Sequence, residues 1–405
     1  MTFEPLKGLR VLDLTSVVVG PVSTARLAQY GAEVIKLESP DGDLMRGLGG
    51  QSPTGRHSGT YLHLNRAKRN ICCDLKQKGA DQIIGKLVES SDIIVANMRV
   101  QALARLGLDY ETILAKHPDK IYCLITGYGL GGPYSGYPTY DSVIQAASGI
   151  PGLIAHRDGE PRYVPMVICD HVVGEIAAGA VLAAIVQRMR TGKGAFIEVP
   201  MFETMANFVL QEHLAQQSFI PPVGPAGDQR LLTSANRPVR TRDGWIAFTV
   251  NTDKQVRAFL EATGRGDLKD DPRFSSVRAR ADNVREWFEL RGAPLTDRTT
   301  AQWLALFREA DIAAMPCHTI ESLCEDEHLA AVCMFMRDRH PTEGETVALR
   351  GPVVFDGNPS PPGQFAQPPG WESEAILSEL GFGEGEIAEM RASGAVFSPH
   401  GMSEA

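Results

Sequence analysis

The sequence predicts an α/β protein whose larger part is built on a parallel sheet, and three observations carry that reading. Short apolar runs alternate with helical segments through the first half of the chain, the pattern of parallel strands joined by crossover helices. The stretch HVVGEIAAGAVLAAIVQRMR, residues 171–190, is apolar on most sides and so belongs inside, against a sheet. The Pro/Gly-rich FIPPVGPAGDQR, residues 219–230, then reads as a linker. Beyond it the pattern turns to a hairpin and charge-rich helices, which suits a smaller α+β domain.

Taken in order, residues 9–14 read as a strand, Gly20-Pro21 precedes a helical run over 23–34, and residues 34–37 form a second strand. A helix around 79–89, a strand at 92–95, helices near 99–106 and 110–116, and a strand at 121–126 make the next unit. The long apolar helix after Asp170 stops at Thr191-Gly192-Lys193-Gly194, and a strand over 195–199 and a helix over 201–216 follow. In the smaller domain a turn at 240–244 leads into a strand over 245–250. After the Pro-dense NPSPPGQFAQPPG, a helical segment over 372–392 closes the chain. The expected division is a large domain over 1–225, a small domain over 226–330, and a return segment, 331–405, completing the first.

With 405 residues, 43% hydrophobic and 22% charged, the chain falls in the folded, water-soluble class. A net charge of -9 argues against nucleic acid as a partner. The opening MTFEPLKGLRVLDL lacks the pattern of a secretory leader, and seven cysteines without a framework fit a reducing compartment, so a cytoplasmic location is expected. Cys317, His318, Cys324, His328 and Cys333 have no metal-ligand spacing, so no metal is expected.

GYGLGGP places glycines at 127, 129 and 132 directly after a strand. A dinucleotide fingerprint must open a helix, whereas here Pro133 and Pro138 bracket a Tyr/Gly/Ser loop, so the stretch reads as a connecting loop. Asn65, Arg66, Lys68, Arg69, Lys76 and Lys78 form the densest basic run. Such a run suits either a solvated face or a phosphate patch. Asp170 heads the long helix, where it reads as an N-cap; a helix start also keeps a carboxylate ionised and able to attack a carbonyl. No Gly-x-Ser-x-Gly elbow, His-Glu-x-x-His or P-loop occurs, and His171 reads as structural.

Five segments in order, RVLDLTSVVVGPVSTARLAQYGAEVIKLESPDGD, NRAKRNICCDLK, SDIIVANMRVQALARLGLDY, ITGYGLGGPYSGYPTYDSVIQAASG and VPMVICDHVVGEIAAG, resemble the class III CoA transferases, the formyl-CoA and carnitine-CoA transferase family. The resemblance continues more loosely over nearly the whole chain. It implies a large Rossmann-like domain, a smaller domain and an interlocked homodimer, with coenzyme A as substrate and no metal. It implies that Asp170 is the catalytic nucleophile. It places CoA against Val18, Val19, Asp74, Leu75, Lys76, Asn97, Met98, Arg99, Arg105, Tyr140 and Asp141, with Arg66 and Lys68 adding phosphate contacts.

Two departures stand out. The family's Glu-Asn-Phe-x-Pro-Gly stretch is here Ala96-Asn97-Met98-Arg99-Val100-Gln101, without its proline and glycine, and the tetraglycine loop of formyl-CoA transferase has no counterpart between 220 and 265. The related 2-methylacyl-CoA racemases carry a His-Asp pair where Tyr140-Asp141 stands, and a phenol is a poor base near neutrality. The implied reaction moves CoA from an acyl-CoA to a carboxylic acid through an aspartyl anhydride and an aspartyl-CoA thioester. Backbone N–H groups at the helix start or in the glycine-rich loop are the expected oxyanion donors. A racemase and a CoA-binding protein without catalysis are the alternatives.

Overall fold

A computed structural model describes residues 4–360 and 362–399. The chain divides into two compact units, one of Met1–Ser148, Val164–Asn207 and His328–Ala405, the other of Gly149–Tyr163 and Phe208–Glu327. The second unit thus also takes residues 149–163, which carry no linker signal in the sequence.

The first unit begins with β1 (Arg10–Leu14), α1 (Val19–Gln29), β2 (Glu33–Glu38), α2 (Gly59–Leu64), β3 (Lys68–Cys73), α3 (Ala80–Ser90) and β4 (Ile93–Ala96). It continues with α4 (Val100–Arg105), α5 (Tyr110–Lys116), β5 (Ile121–Thr126) and α6 (Asp141–Ala147). After α7 (Ile150–Asp158), which belongs to the second unit, come α8 (Ile168–Thr191), β6 (Ala195–Pro200) and α9 (Met201–His213). Strands β3-β2-β1-β4-β5-β6 lie in that order and pair in parallel, while Val396–Phe397 adds an antiparallel edge strand on β3. This is the doubly wound order, whose strand sequence reverses between β1 and β4.

Both faces of the sheet are covered, which explains why β4 and β5 read as apolar runs rather than alternating ones. On one side α3, α5 and the C-terminal helices Ser373–Glu379 and Glu384–Ala392 bury Ile83, Leu87, Ile113, Ile376, Leu377 and Ile387 against Leu12, Ile35, Ile71, Ile94 and Leu124. On the other, α1 packs against α8. Gly174 permits this: a Cβ there would lie 2.6 Å from the Val19 carbonyl and 2.8 Å from Val22 Cβ. Gly192, at φ 71°, caps α8 in the left-handed region where the sequence placed its stop.

Strand β3 falls in the basic run. Lys68 and Asn70 turn to the α1 side and Arg69 to the other, because neighbours on a strand point to opposite faces. Lys68 is buried against Asp13 at 3.1 Å, while Arg69 pairs with Glu33 and Glu379. The helical segment expected over 372–392 is two helices broken at 380–383, where Gly381 has φ 82°.

In the second unit β7 (Val239–Arg240), β8 (Trp245–Thr249) and β9 (Ala313–Pro316) form an antiparallel sheet. Helices Asp253–Ala262, Val284–Arg291 and Thr300–Glu309 close over it around Phe248, Phe259, Trp287, Trp303 and Phe307. Thr252 with Gln255, and Thr299 with Gln302, form capping boxes that start two of these helices.

Candidate active site

A cavity of roughly 340 Å³ opens at the carboxyl ends of β1, β4 and β5, the reversal point at which doubly wound sheets bind ligands. Residues 16–19, 97–101, 125–128 and 135–140 line it, with Leu130, Asp170 and Met201. Asp170 is its sole acidic side chain among the described residues, and no histidine reaches it.

Asp170 is not the cap of α8. Val167 holds that position without a side-chain bond, and Asp170 stands in the first turn. The cap comes from Asp141 at the start of α6, whose Oδ2 accepts the N–H groups of Cys169 at 2.7 Å and Asp170 at 3.2 Å. Gln145, one turn on, donates to Asp141 Oδ1 at 2.6 Å and accepts the Val164 N–H at 2.9 Å, tying the approach to α8 in place. Both aspartates are about 7% exposed. Burial and the neighbouring Asp141 charge push the Asp170 carboxyl up from 3.8 to about 7. The expectation that the helix start alone keeps it firmly ionised is therefore corrected: another carboxylate occupies those donors, and like charge opposes ionisation.

The other expected oxyanion donors are also partly committed. The Gly129 N–H donates to Glu203 at 2.8 Å and the Leu130 N–H to Glu198 at 2.6 Å. The glycines of this loop serve close packing: a Cβ on Gly127 would lie 2.1 Å from Thr139 Cγ2, and one on Gly129 would lie 2.6 Å from Glu203 Oε1. Val18 and Val19, at the start of α1, line the cavity, and their N–H groups have no protein acceptor among the described residues.

Of the residues expected to hold CoA, Val18, Val19, Asn97, Met98, Arg99 and Tyr140 line the cavity with Asp170. Asn97 turns its amide to the backbone, accepting the Ser16 N–H at 3.0 Å and donating to the Ser16 carbonyl at 2.9 Å. Lys76, Arg99 and Arg105 are exposed and make no ion pair among the described residues. Asp74 and Leu75 sit in the turn after β3, where Asp74 accepts the Lys76 N–H at 3.0 Å and Leu75 packs on the core. Asp141 is buried under Asp170 rather than in the cavity wall.

Arg66 and Lys68 lie outside the cavity, and both are engaged within the protein. Arg66 binds Asp338 at 3.2 Å and the carbonyls of Pro362 and Gly363, and lies over the Phe365 ring. Lys68 is enclosed by Asp13, Asn65 and the Pro21 carbonyl, and burial brings it down to about 8 against the pull of Asp13. Both cations thus have their partners within the chain, Lys68 because strand β3 directs it inward.

The CoA-transferase family III profile matches residues 6–372. The chain is 31% identical to succinyl-CoA:glutarate CoA-transferase of Mus musculus, over 98% of this chain and 91% of that one. It is 29% identical to formyl-CoA:oxalate CoA-transferase of Streptomyces coelicolor, over 98% and 100%. The crystal structure of Rv3272 from Mycobacterium tuberculosis superposes with a TM-score of 0.79 at 26% identity, covering 93% of this chain and 100% of that one. A CAIB/BAIF family protein from Brucella suis gives 0.78 at 27% identity, covering 94% and 100%. With the parallel sheet, its reversal-point cavity and these matches together, the chain belongs to CoA-transferase family III.

Proposed function

We propose that this protein moves CoA from an acyl-CoA to a carboxylic acid, with Asp170 as the covalent nucleophile. The observation that carries the reading is a buried carboxylate that is the one acidic group, with no histidine, among the described residues lining a cavity at the sheet reversal point. The Asp170 carboxylate attacks the thioester carbonyl, giving an aspartyl mixed anhydride and releasing CoA thiolate. The thiolate attacks the aspartyl carbonyl, displacing the donor acid as its carboxylate and leaving an aspartyl-CoA thioester. The acceptor carboxylate attacks this thioester and expels the thiolate, which then takes the acceptor acyl group and returns Asp170 as a free carboxylate.

Desolvation raises the free energy of the ionised carboxylate, which makes it the more reactive in attack. The N–H groups of Val18 and Val19 are uncommitted donors at the cavity wall among the described residues and suit the developing oxyanion. Lys76, Arg99 and Arg105 are the exposed cations for the CoA phosphates. The outward face of α8 carries exposed Ile176, Val186 and Met189, which supports a second copy of the chain covering it in a homodimer. Tyr140 in the place of a base, with Asp141 engaged in capping α8, disfavours racemisation.

The test pairs acyl-CoA donors with carboxylate acceptors and reads the acyl-CoA products by mass spectrometry. It starts with succinyl-CoA and dicarboxylic acids, the chemistry in the mouse relative's name. Trapping with hydroxylamine should leave a hydroxamate on the peptide containing Asp170. Asp170→Asn should lose roughly 10⁴-fold or more in turnover while still binding CoA. Turnover that survives in Asp170→Asn would overturn the assignment, and deuterium uptake at the α-carbon at a catalytic rate would favour a racemase.

A further inference from the structure

The segment between β1 and α1 enters the cavity wall through a strained residue. Val17 has φ 69°, a left-handed conformation that a β-branched side chain resists and that persists when its surroundings over-determine it. Side chains hold the backbone on both sides. Thr15 N–H donates to Asp13 Oδ1 at 2.9 Å and the Thr15 carbonyl accepts from Lys36 Nζ at 2.7 Å. The Asn97 amide clasps Ser16. The Val17 N–H itself donates to both oxygens of Asp43, at 3.0 and 3.2 Å.

Asp43 lies outside the cavity wall and is itself fixed. Its N–H donates to Glu38 at 2.9 Å, its carboxylate pairs with Lys36 at 2.9 Å, and both side chains of that pair are 1% exposed. The same carboxylate caps the short turn Leu44–Arg46 by accepting the Met45 N–H. Residues 16–19, by contrast, share the cavity with Asp170, and the close approach of α1 to α8 at Gly174 sets how far that segment stands from Asp170.

We propose that Asp43 is a positioning residue for the transfer reaction: by accepting the Val17 N–H it holds residue 17 left-handed and thereby sets Val18 and Val19 against the Asp170 cavity. The inference rests on the function proposed above. Asp43 touches no reactant; it acts through the backbone of residue 17. A purely structural role, as the partner of Lys36, would affect stability and leave residue 17 irrelevant.

Glycine separates the two roles, because it adopts a left-handed conformation without steric cost. Asp43→Ala should lower kcat about 10²-fold, the scale of an ångström of misplacement, with KM for acyl-CoA changed less than about threefold. Adding Val17→Gly to Asp43→Ala should recover about tenfold in kcat. Where Asp43→Ala does not fold, Asp43→Asn and Asp43→Asn/Val17→Gly supply the same comparison from a smaller initial loss. Failure of Val17→Gly to raise kcat in the Asp43 variant that folds would overturn the proposal.

Hydrogen exchange at the Val17 amide gives a readout independent of catalysis. It should be slow in the wild type and accelerated in the Asp43 variant, and equal rates would refute the anchoring. Wild-type protein without transferase activity would sink the functional reading, while the exchange result would still decide whether Asp43 anchors Val17.

Discussion

Buried charge is handled in opposite ways at two places in the first unit. On β1, β2, β3 and the turn after β2, Asp13, Lys36, Glu38, Asp43, Arg46 and Lys68 are enclosed, and each faces an opposite charge: Asp13 with Lys68, Lys36 with Asp43, Arg46 with Glu38. Burial works against ionisation there, yet the cations and hydroxyl donors prevail and hold Asp13 and Glu38 down at about 2. At the start of α8, Asp170 is also buried and meets another carboxylate, with no cation paired to it among the described residues. The first arrangement stabilises ionised groups and fixes backbone. The second leaves one ionised group poorly solvated at the place where a nucleophile is needed.

The largest effect expected is in the paired cluster. Lys68→Met removes the cation from an enclosed carboxylate, and leaving a buried charge unpaired costs about 3–5 kcal/mol. Urea unfolding should show that loss, and Asp13→Asn added to Lys68→Met should restore part of it, since the pair is then removed together. A loss below about 1 kcal/mol would place this pair among the weak surface bridges.

The opposite sign is expected at Asp170. Its folded pKa, about 7, lies above the ordinary 3.8, so the folded chain holds the extra proton between those values. Its contribution to stability is therefore complete below pH 3.8 and is lost as pH rises through 7. Asp170→Asn carries no such charge, so it should match the wild type near pH 4 and exceed it at pH 8, by up to about 4 kcal/mol. Asp13 and Glu38 behave the other way, adding stability above about pH 4 that is lost as pH falls toward 2. A variant no more stable than wild type at pH 8 would mean that Asp170 is better solvated than its burial indicates.

The same contrast explains what could be read from the sequence. The alternation of strands and helices was legible, and so was Asp170 at the head of an apolar helix, because both depend on neighbours along the chain. Lys68 was not: it stands beside Arg66 and Arg69 in a run that looks solvated, and only pairing with β2 shows it turned inward. The cap on α8 comes from 28 residues upstream of Cys169, so in the sequence an aspartate within the helix resembles its own cap. Likewise nothing local announces that Asp43 anchors Val17, since 26 positions separate them. Four of the five similar segments carry the cavity-lining residues other than Met201, while contacts across the sheet decide which cations are free.

The smallest effect tests the other carboxylate of the α8 start. Asp141 contributes to the raised Asp170 pKa through its charge, second to burial. In Asp141→Asn the charge is gone while an amide oxygen can still accept the Cys169 and Asp170 N–H groups, and asparagine caps helices nearly as well as aspartate. Its NH2 group would then face Gln145 Nε2, which now donates at 2.6 Å. Losing that bond should cost about 1 kcal/mol of stability. The acid limb of kcat, which follows ionisation of Asp170, should move to lower pH, because the opposing charge is removed. The variant would then retain more of its maximal rate at pH 6 than the wild type does. A limb that stays in place would assign the raised pKa to burial alone, and a limb that moves upward would mean that Asp141 supports the ionised nucleophile by orienting the first turn of α8 rather than opposing it by charge.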